Sequence, residues 1–206
     1  MIGGVADTLK ESSLARTQAA DYEQRREAIV QRAADLFAER GFRGASMADL
    51  AAACATSKSL LYHYYPSKED LLYAVMLSHI DQLVTDVAAV AQEAGTARGK
   101  LHSILHRFML HYVGAASRQK VLLNDLAHLP NDKRESVVAK QRTIIKAVQA
   151  LIVELDPALA KDSAAALVRT MLLFGMINWT HTWFDPAGPA SADRIADAAM
   201  ELIAPL

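Results

Sequence analysis

Between positions 57 and 68 the chain reads SKSLLYHYYPSK, which gathers Lys58, Ser59, Tyr62, His63, Tyr64 and Lys68 within a few turns. Ammonium, hydroxyl, imidazole and phenol groups of this kind donate to phosphate oxygens and to base edges. Arg43 adds a guanidinium just upstream. Elsewhere the reactive residue types are scattered. His102 and His106 stand four apart on one helix face, with His111 slightly off it, a spacing that can hold Zn²⁺. No glutamate sits at a catalytic position beside them and no third ligand follows from spacing. Amphipathic or pocket-edge histidines are therefore the expectation, without a metal. The chain has no nucleophile elbow, phosphate loop or paired-acid motif, so neither catalytic residues nor a cofactor are expected.

The elements that must position these groups are legible around them. Ile29, Ala33, Leu36 and Phe37 recur at helical spacing, with Arg32, Asp35 and Glu39 on the opposite face. Gly41 follows as a helix stop. Ser46, with Asp49 three residues on, caps a short helix that turns Leu50 and Ala51 inward. The next helix starts near Ser57, buries Leu61 and Tyr65, and ends at Pro66. Ser67 with Asp70 then opens a long helix. Two short helices joined by a tight turn form a helix-turn-helix. Ala55 stands in that turn, where it either takes a costly positive φ or the turn differs in shape.

The run from Arg26 to Leu72 resembles the N-terminal domain of the TetR (tetracycline-repressor-like) family of bacterial transcriptional regulators. The resemblance is carried by LFAERGF (36–42), SMADLA (46–51) and LYHYYPSKEDLL (61–72). It implies a homodimer whose recognition helices enter successive major grooves of a near-palindromic double-stranded operator. On the same resemblance, Lys58, Ser59, Tyr62 and His63 face the groove or its phosphates. Tyr64 and Lys68 clamp the DNA backbone, and the helix start at Ser46 donates N–H groups to a phosphate. Four positions depart from the family pattern: Ala45 and Leu60 for threonine, Ala55 and Ser59 for glycine. Leu60 can touch a thymine methyl but cannot hydrogen-bond a base. The operator sequence is therefore not carried over.

Composition sets looser bounds. With 206 residues, 52% of them hydrophobic, the chain can bury a substantial core as one or two units. Its formal net charge of −1 carries no overall basic signature. The asymmetry is local: from residue 40 to 68, Arg40, Arg43, Lys58 and Lys68 face only Asp49. The first residues lack the order of a signal peptide, and the longest apolar run, Met171 to Ile177, is too short to span a bilayer. No membrane partner and a cytoplasmic location are expected. The single cysteine, Cys54, excludes an internal disulfide and suits a packing role. The expected organisation is a flexible arm over 1–22, a helix-turn-helix domain over 23–72 and a ligand-binding and dimerisation domain over 73–206.

Beyond residue 75 no strand-like alternation appears, and the whole fold class is all-α. Stops at AGTARG, HLPND, LDPAL and DPAGPAS predict helices of about 68–94, 98–114, 118–128, 132–154, 158–184 and 191–204. Ala164 to Phe184 is apolar on nearly every face, which calls for a partner subunit on one side and a core or cavity on the other. Leu167, Trp179 and Trp183, with Ile195, Ala198 and Leu202 of the last helix, form the expected dimer interface. The C-terminal run LLFGMINWTHTWFDPAGPASADRIADAAMELI resembles a branch of the family that responds to acyl-CoA thioesters. A small hydrophobic effector is thereby implied, with Phe108, Met109, Tyr112, Leu122, Leu123, Leu126, Ile145, Met171 and Phe174 as cavity lining. Arg142, with Arg107, Arg118, Lys120, Lys133, Arg134 and Lys140, supplies candidate cations for CoA phosphates. The same stripes also fit a plain core, and solvated faces explain the cations equally well. A drug-responsive regulator of an efflux gene, a ligand-binding module with a vestigial head and a helical enzyme without DNA binding stay open as alternatives.

Overall fold

A computed structural model describes the backbone of residues 3–204 and the side chains from residue 19 onward. All regular structure among the described residues is helical, and the chain divides into two compact units, Met1–Val75 and Met76–Leu206.

The first unit is built on α1 (Gly3–Gly44), α2 (Met47–Ala53), α3 (Lys58–Tyr64) and the opening turns of α4 (Lys68–Gln92). Ile29, Val30, Ala33, Ala34, Leu36 and Phe37 form the buried stripe of α1. Helical geometry breaks at Gly41, with φ 72° and ψ 158°, so Phe42 folds back until its ring centroid lies 5.6 Å from that of Phe37. The flexible arm expected over 1–22 falls largely where side chains lie outside the described residues; its backbone belongs to α1 from Gly3. Ser46 and Asp49 close a reciprocal capping box: Asp49 N–H donates to Ser46 Oγ at 3.2 Å and Ser46 N–H to Asp49 Oδ2 at 2.9 Å. Ser57 caps α3 through the Leu60 N–H, and Ser67 caps α4 through the Asp70 N–H.

The turn between α2 and α3 resolves the question raised by Ala55. Its φ is 51°, in the left-handed region. Thr56 N–H donates to the Ala51 carbonyl and Ala55 N–H to the Ala52 carbonyl, the two bonds of a Schellman motif with alanine where glycine is usual. The motif satisfies the last carbonyls of α2 and fixes where α3 begins. An alanine in this conformation costs about 1–2 kcal/mol, and glycine returns part of that as unfolded-chain entropy. Ala55→Gly is therefore expected to stabilise the chain by roughly 0.5–1 kcal/mol. A lowered urea midpoint would show that the turn is not strained.

The second unit holds the rest of α4 with α5 (Ala97–Gly114), α6 (Ala116–Asn124), α7 (Asn131–Leu155), α8 (Ser163–Trp179) and α9 (Ala192–Ile203). α5 packs on α7 and α9, and α8 closes on the same two helices. The core includes Leu101, Ile104, Leu105, Phe108, Val137, Val148, Ile152, Leu173 and Ile177. The single helix expected over 158–184 is split into a 3₁₀ turn (Pro157–Lys161), α8 and a second 3₁₀ turn (Thr180–Thr182). Asp162 causes the first break, because its Oδ1 accepts from the Ala165 N–H at 2.9 Å and caps α8. α4 is long and apolar enough to cross a membrane by length and composition alone, although no unbroken apolar run signals it. Its polar side chains argue for a core helix: His79 bonds Gln119, Asp81 pairs with Lys140, and Asp86 with His111 and Arg107.

Candidate DNA-facing surface and effector cavity

Seven residues of α3 divide cleanly into two faces. Leu61 is wholly buried, as is Tyr65 just past the helix end, and these anchor α3 to its unit. Lys58, Ser59, Leu60, Tyr62 and His63 all point to solvent. Two of them are large: Leu60 is 40% exposed and Tyr62 46%. A short, capped helix that exposes a leucine and a tyrosine beside Lys58, Ser59 and His63 offers apolar and hydrogen-bonding contacts on one surface. Tyr64 is half-buried and braced, its ring 4.9 Å from that of Tyr22 on α1 and edge-on to His63 at 5.6 Å. Tyr22 carries no motif signal, and the sequence reading left it out.

Two residues expected on DNA carry structural duties first. Lys68 Nζ donates to the carbonyls of Phe42 at 2.9 Å and Ala45 at 2.8 Å and sits over the Phe42 ring. It ties the end of α1 to the start of α4, and only one of its three donors remains for a phosphate. At Ser46, the N–H groups of Ser46 and Asp49 are already taken by the capping box, which leaves those of Met47 and Ala48 as the donors at that helix start. Hydrogen bonds from the Ser46 hydroxyl and backbone hold the Asp49 carboxyl below its ordinary range. Asp49 thus keeps a negative charge there, which opposes a phosphate. Arg43 is exposed and fits the expected basic surface. Burial pushes the Cys54 thiol above its ordinary range, so it stays protonated and unreactive, as a packing role requires.

In the second unit a cavity of about 180 Å³ opens between α4, α5, α6, α7 and α8. Phe108, Tyr112, Leu122, Leu123, Ile145, Met171 and Phe174 line it, all seven as expected. Three expected residues do not. Met109 is buried one position further round α5, Leu126 lies in the 3₁₀ turn after α6, and Arg142 faces solvent while its neighbour Gln141 takes the wall. Ile80, Leu83, Gln119, Ile144 and Asn178 complete the lining. Of the cations proposed for CoA phosphates, Arg107 pairs with Glu93 and Asp86, Lys140 with Asp81, and Arg134 with Asn131.

His79, beside this cavity, is 2% exposed, with its Nε2 2.7 Å from Gln119 Oε1. Burial pushes its pKa down from 6.5 to about 4, against the pull of the Gln119 bond. A histidine with a depressed folded pKa contributes stability that is whole above pH 6.5 and lost as pH falls toward 4, because only the unfolded chain takes the proton. Unfolding free energy is expected to drop by about 2–3 kcal/mol between pH 7 and pH 4.5. His79→Gln should flatten that slope; equal slopes in urea titrations of the two proteins would contradict the assignment. His102 and His106 pair singly with Asp197 and Asp193 of α9 at 2.7 and 2.6 Å, and no group of three or more potential metal ligands occurs among the described residues.

α8 and α9 leave an apolar face without cover. Leu167, Val168, Met171, Leu172, Trp179, Trp183 and Leu202 are all exposed, with Trp179 at 64% and Leu202 at 72%. Ile195 and Ala198 line a groove beside Trp183 and Leu202. Of the six residues expected at a dimer interface, Trp183, Ile195, Ala198 and Leu202 line this groove, while Leu167 and Trp179 are exposed on α8 outside it. Contiguous exposure on this scale marks an interaction surface.

A capped helix-turn-helix in one unit, with a cavity and an uncovered apolar face in an all-helical second unit, is the organisation of a DNA-binding regulator with a sensor domain. Residues 29–75 match the family model for bacterial regulatory proteins of the tetR family, and residues 94–205 that for the tetracyclin repressor-like C-terminal domain. The chain belongs to the TetR family. It is similar to a TetR-family transcriptional regulator from Bordetella parapertussis 12822, with 38% identity, a TM-score of 0.84 and coverage of 86% of this chain and 93% of that one. It is also similar to AibR in complex with isovaleryl coenzyme A and operator DNA, with 26% identity, a TM-score of 0.77 and coverage of 88% and 98%. Among curated relatives, the HTH-type transcriptional repressor KstR2 of Rhodococcus jostii (strain RHA1) is 23% identical over 184 residues, 87% of this chain and 89% of its own length.

Proposed function

We propose that this protein is a homodimeric repressor that grips a near-palindromic operator through α3 of each subunit and lets go when a CoA thioester delivers its acyl group to the cavity. The observation that carries the reading is the cavity itself: a mostly apolar pocket with a few uncharged polar groups in its wall, in a chain whose other unit is a helix-turn-helix. Its size supports a small acyl group, since a cavity of ~150 Å³ accommodates benzene. A short branched chain or an aryl ring fills such a space, and the nucleotide portion of the thioester stays outside it. The AibR complex, which holds isovaleryl coenzyme A and operator DNA, supports the same class of effector.

Lys58, Ser59, Leu60, Tyr62 and His63 read the groove, Arg43 and the spare donor of Lys68 take phosphates, and the Leu167, Trp179, Trp183, Ile195, Ala198 and Leu202 surfaces pair the subunits. In the DNA-bound dimer the two α3 helices stand about 34–36 Å apart, one turn of the duplex. α4 is the coupling element: it opens at the Ser67 cap, and Ile80 and Leu83 farther along it line the cavity. A ligand that fits the cavity better when α4 has shifted spoils the spacing, and a preference of about 3–5 kcal/mol suffices.

A mobility-shift assay on the DNA upstream of the gene, repeated with isovaleryl-CoA, phenylacetyl-CoA and longer acyl-CoAs, tests the reading. A shift that at least one ester abolishes is the expected result. A shift that ignores every ester indicates a different class of effector, and no shift at all returns the chain to the alternatives without DNA binding.

A further inference from the structure

Four uncharged polar side chains from four helices are joined by hydrogen bonds at the wall of the cavity, whose lining is otherwise apolar except for Gln141 of α7. His79 of α4 meets Gln119 of α6, whose Nε2 donates to Asn178 Oδ1 of α8 at 3.2 Å, and Tyr112 of α5 donates its hydroxyl to that same oxygen at 2.8 Å. Two donors saturate the two lone pairs of the Asn178 amide oxygen. The residue lines the cavity, yet its Nδ2 has no acceptor among the described residues. The direction of the series is set from the far end, because a neutral His79 with its proton on Nε2 donates to Gln119 and turns each following amide the same way. Among the described residues, none of those that line the cavity is charged.

We propose that the Asn178 amide holds the uncharged carbonyl oxygen of the effector, and that the cavity thereby accepts a thioester, ester or amide and refuses the corresponding free carboxylate. A carboxylate entering here surrenders its water for neutral donors, with no cation to receive its charge. A neutral carbonyl needs only the donor that Asn178 has to spare. Hydrolysis of the thioester then registers as removal of the effector, so the protein senses the activated acyl group and ignores the acid. Asn178 is a specificity determinant, with Tyr112, Gln119 and His79 as positioning residues behind it. The inference rests on the cavity being the effector site.

Calorimetric titration of the full chain at pH 7.5 with three matched probes provides the test: the isovaleryl thioester of N-acetylcysteamine, the isopentyl thioether that lacks its carbonyl, and isovalerate. The thioester is expected to bind roughly tenfold more tightly than the thioether and about a hundredfold or more above the acid. Asn178→Leu should cost the thioester about tenfold and leave the thioether unchanged, which a merely structural role does not produce. Should that variant fail to fold, the three probes on the unaltered chain decide the matter alone. Isovalerate binding within about threefold of the thioester, or an equal loss for thioester and thioether in Asn178→Leu, overturns the inference even if CoA esters release the operator. Failure of all three probes to bind at millimolar concentration overturns it together with the effector site. A clear thioester preference without operator release leaves it standing and removes the release mechanism instead.

Discussion

Tyr62→Ala is expected to weaken operator binding by about thirtyfold or more while the fold and the dimer survive. Tyr62 makes no hydrogen bond or ring contact to the described residues, and half of its surface faces solvent. Removing it therefore changes stability by no more than about 0.5 kcal/mol. Its ring and hydroxyl lie on the exposed face of α3 with Leu60 and His63, the face proposed to meet the groove. A base-edge contact is worth about 1–3 kcal/mol, and a two-fold dimer loses it twice, roughly 2–6 kcal/mol together. Fluorescence anisotropy on labelled operator, with sedimentation of the free protein alongside, reads both halves of the expectation. Undiminished affinity in a dimeric variant would remove α3 from the DNA-facing surface.

Trp179→Glu should act through the opposite end of the chain with a comparable effect. Trp179 is the more exposed of the two tryptophans, and Leu167, Leu172 and Leu202 also lack cover. Tryptophan truncations at interface centres cost about 2–4 kcal/mol, and a carboxylate buried in its place adds desolvation. The variant is expected to sediment as a folded monomer with an unchanged helical spectrum. Operator affinity falls with it, since each monomer presents one recognition helix. A variant that stays dimeric would move the subunit interface away from α8 and α9.

Local chemistry explains why the first unit was so legible. Ser46 with Asp49, Ser57 and Ser67 with Asp70 act within three residues of themselves, and Gly41 acts on its own backbone. Even the strain at Ala55 followed from one residue type in one turn. The structural role of Lys68 went unread because its partners, the carbonyls of Phe42 and Ala45, lie more than twenty positions away. The same limit applied to the cavity. Helical periodicity marked Phe108, Tyr112, Met171 and Phe174 as inward, but it could not separate Met109, which turns into the core, from its neighbour at the wall.

His79, Gln119 and Asn178 went unread as a set, although each interrupts an apolar stripe. A polar residue amid Met76, Ile80 and Leu83, or beside Val121 and Leu122, must find a partner when buried. That signal was present one helix at a time. The series they form exists only once four helices meet. Likewise, the uncovered face of α8 was foreseen from its all-round apolarity, whereas the split of the expected 158–184 helix turned on a side-chain cap at Asp162.

Coupling between effector and operator is the centre of the account, and linkage makes it measurable in one experiment. If a thioester weakens operator binding by some factor, the operator must weaken thioester binding by the same factor. Calorimetric titration of the tightest-binding CoA thioester into the free dimer and into the dimer–operator complex reads that factor directly. The expected result is a dissociation constant at least about a hundredfold higher in the complex, a coupling of roughly 3 kcal/mol. Equal affinity with and without operator would contradict the account, however tightly the thioester binds.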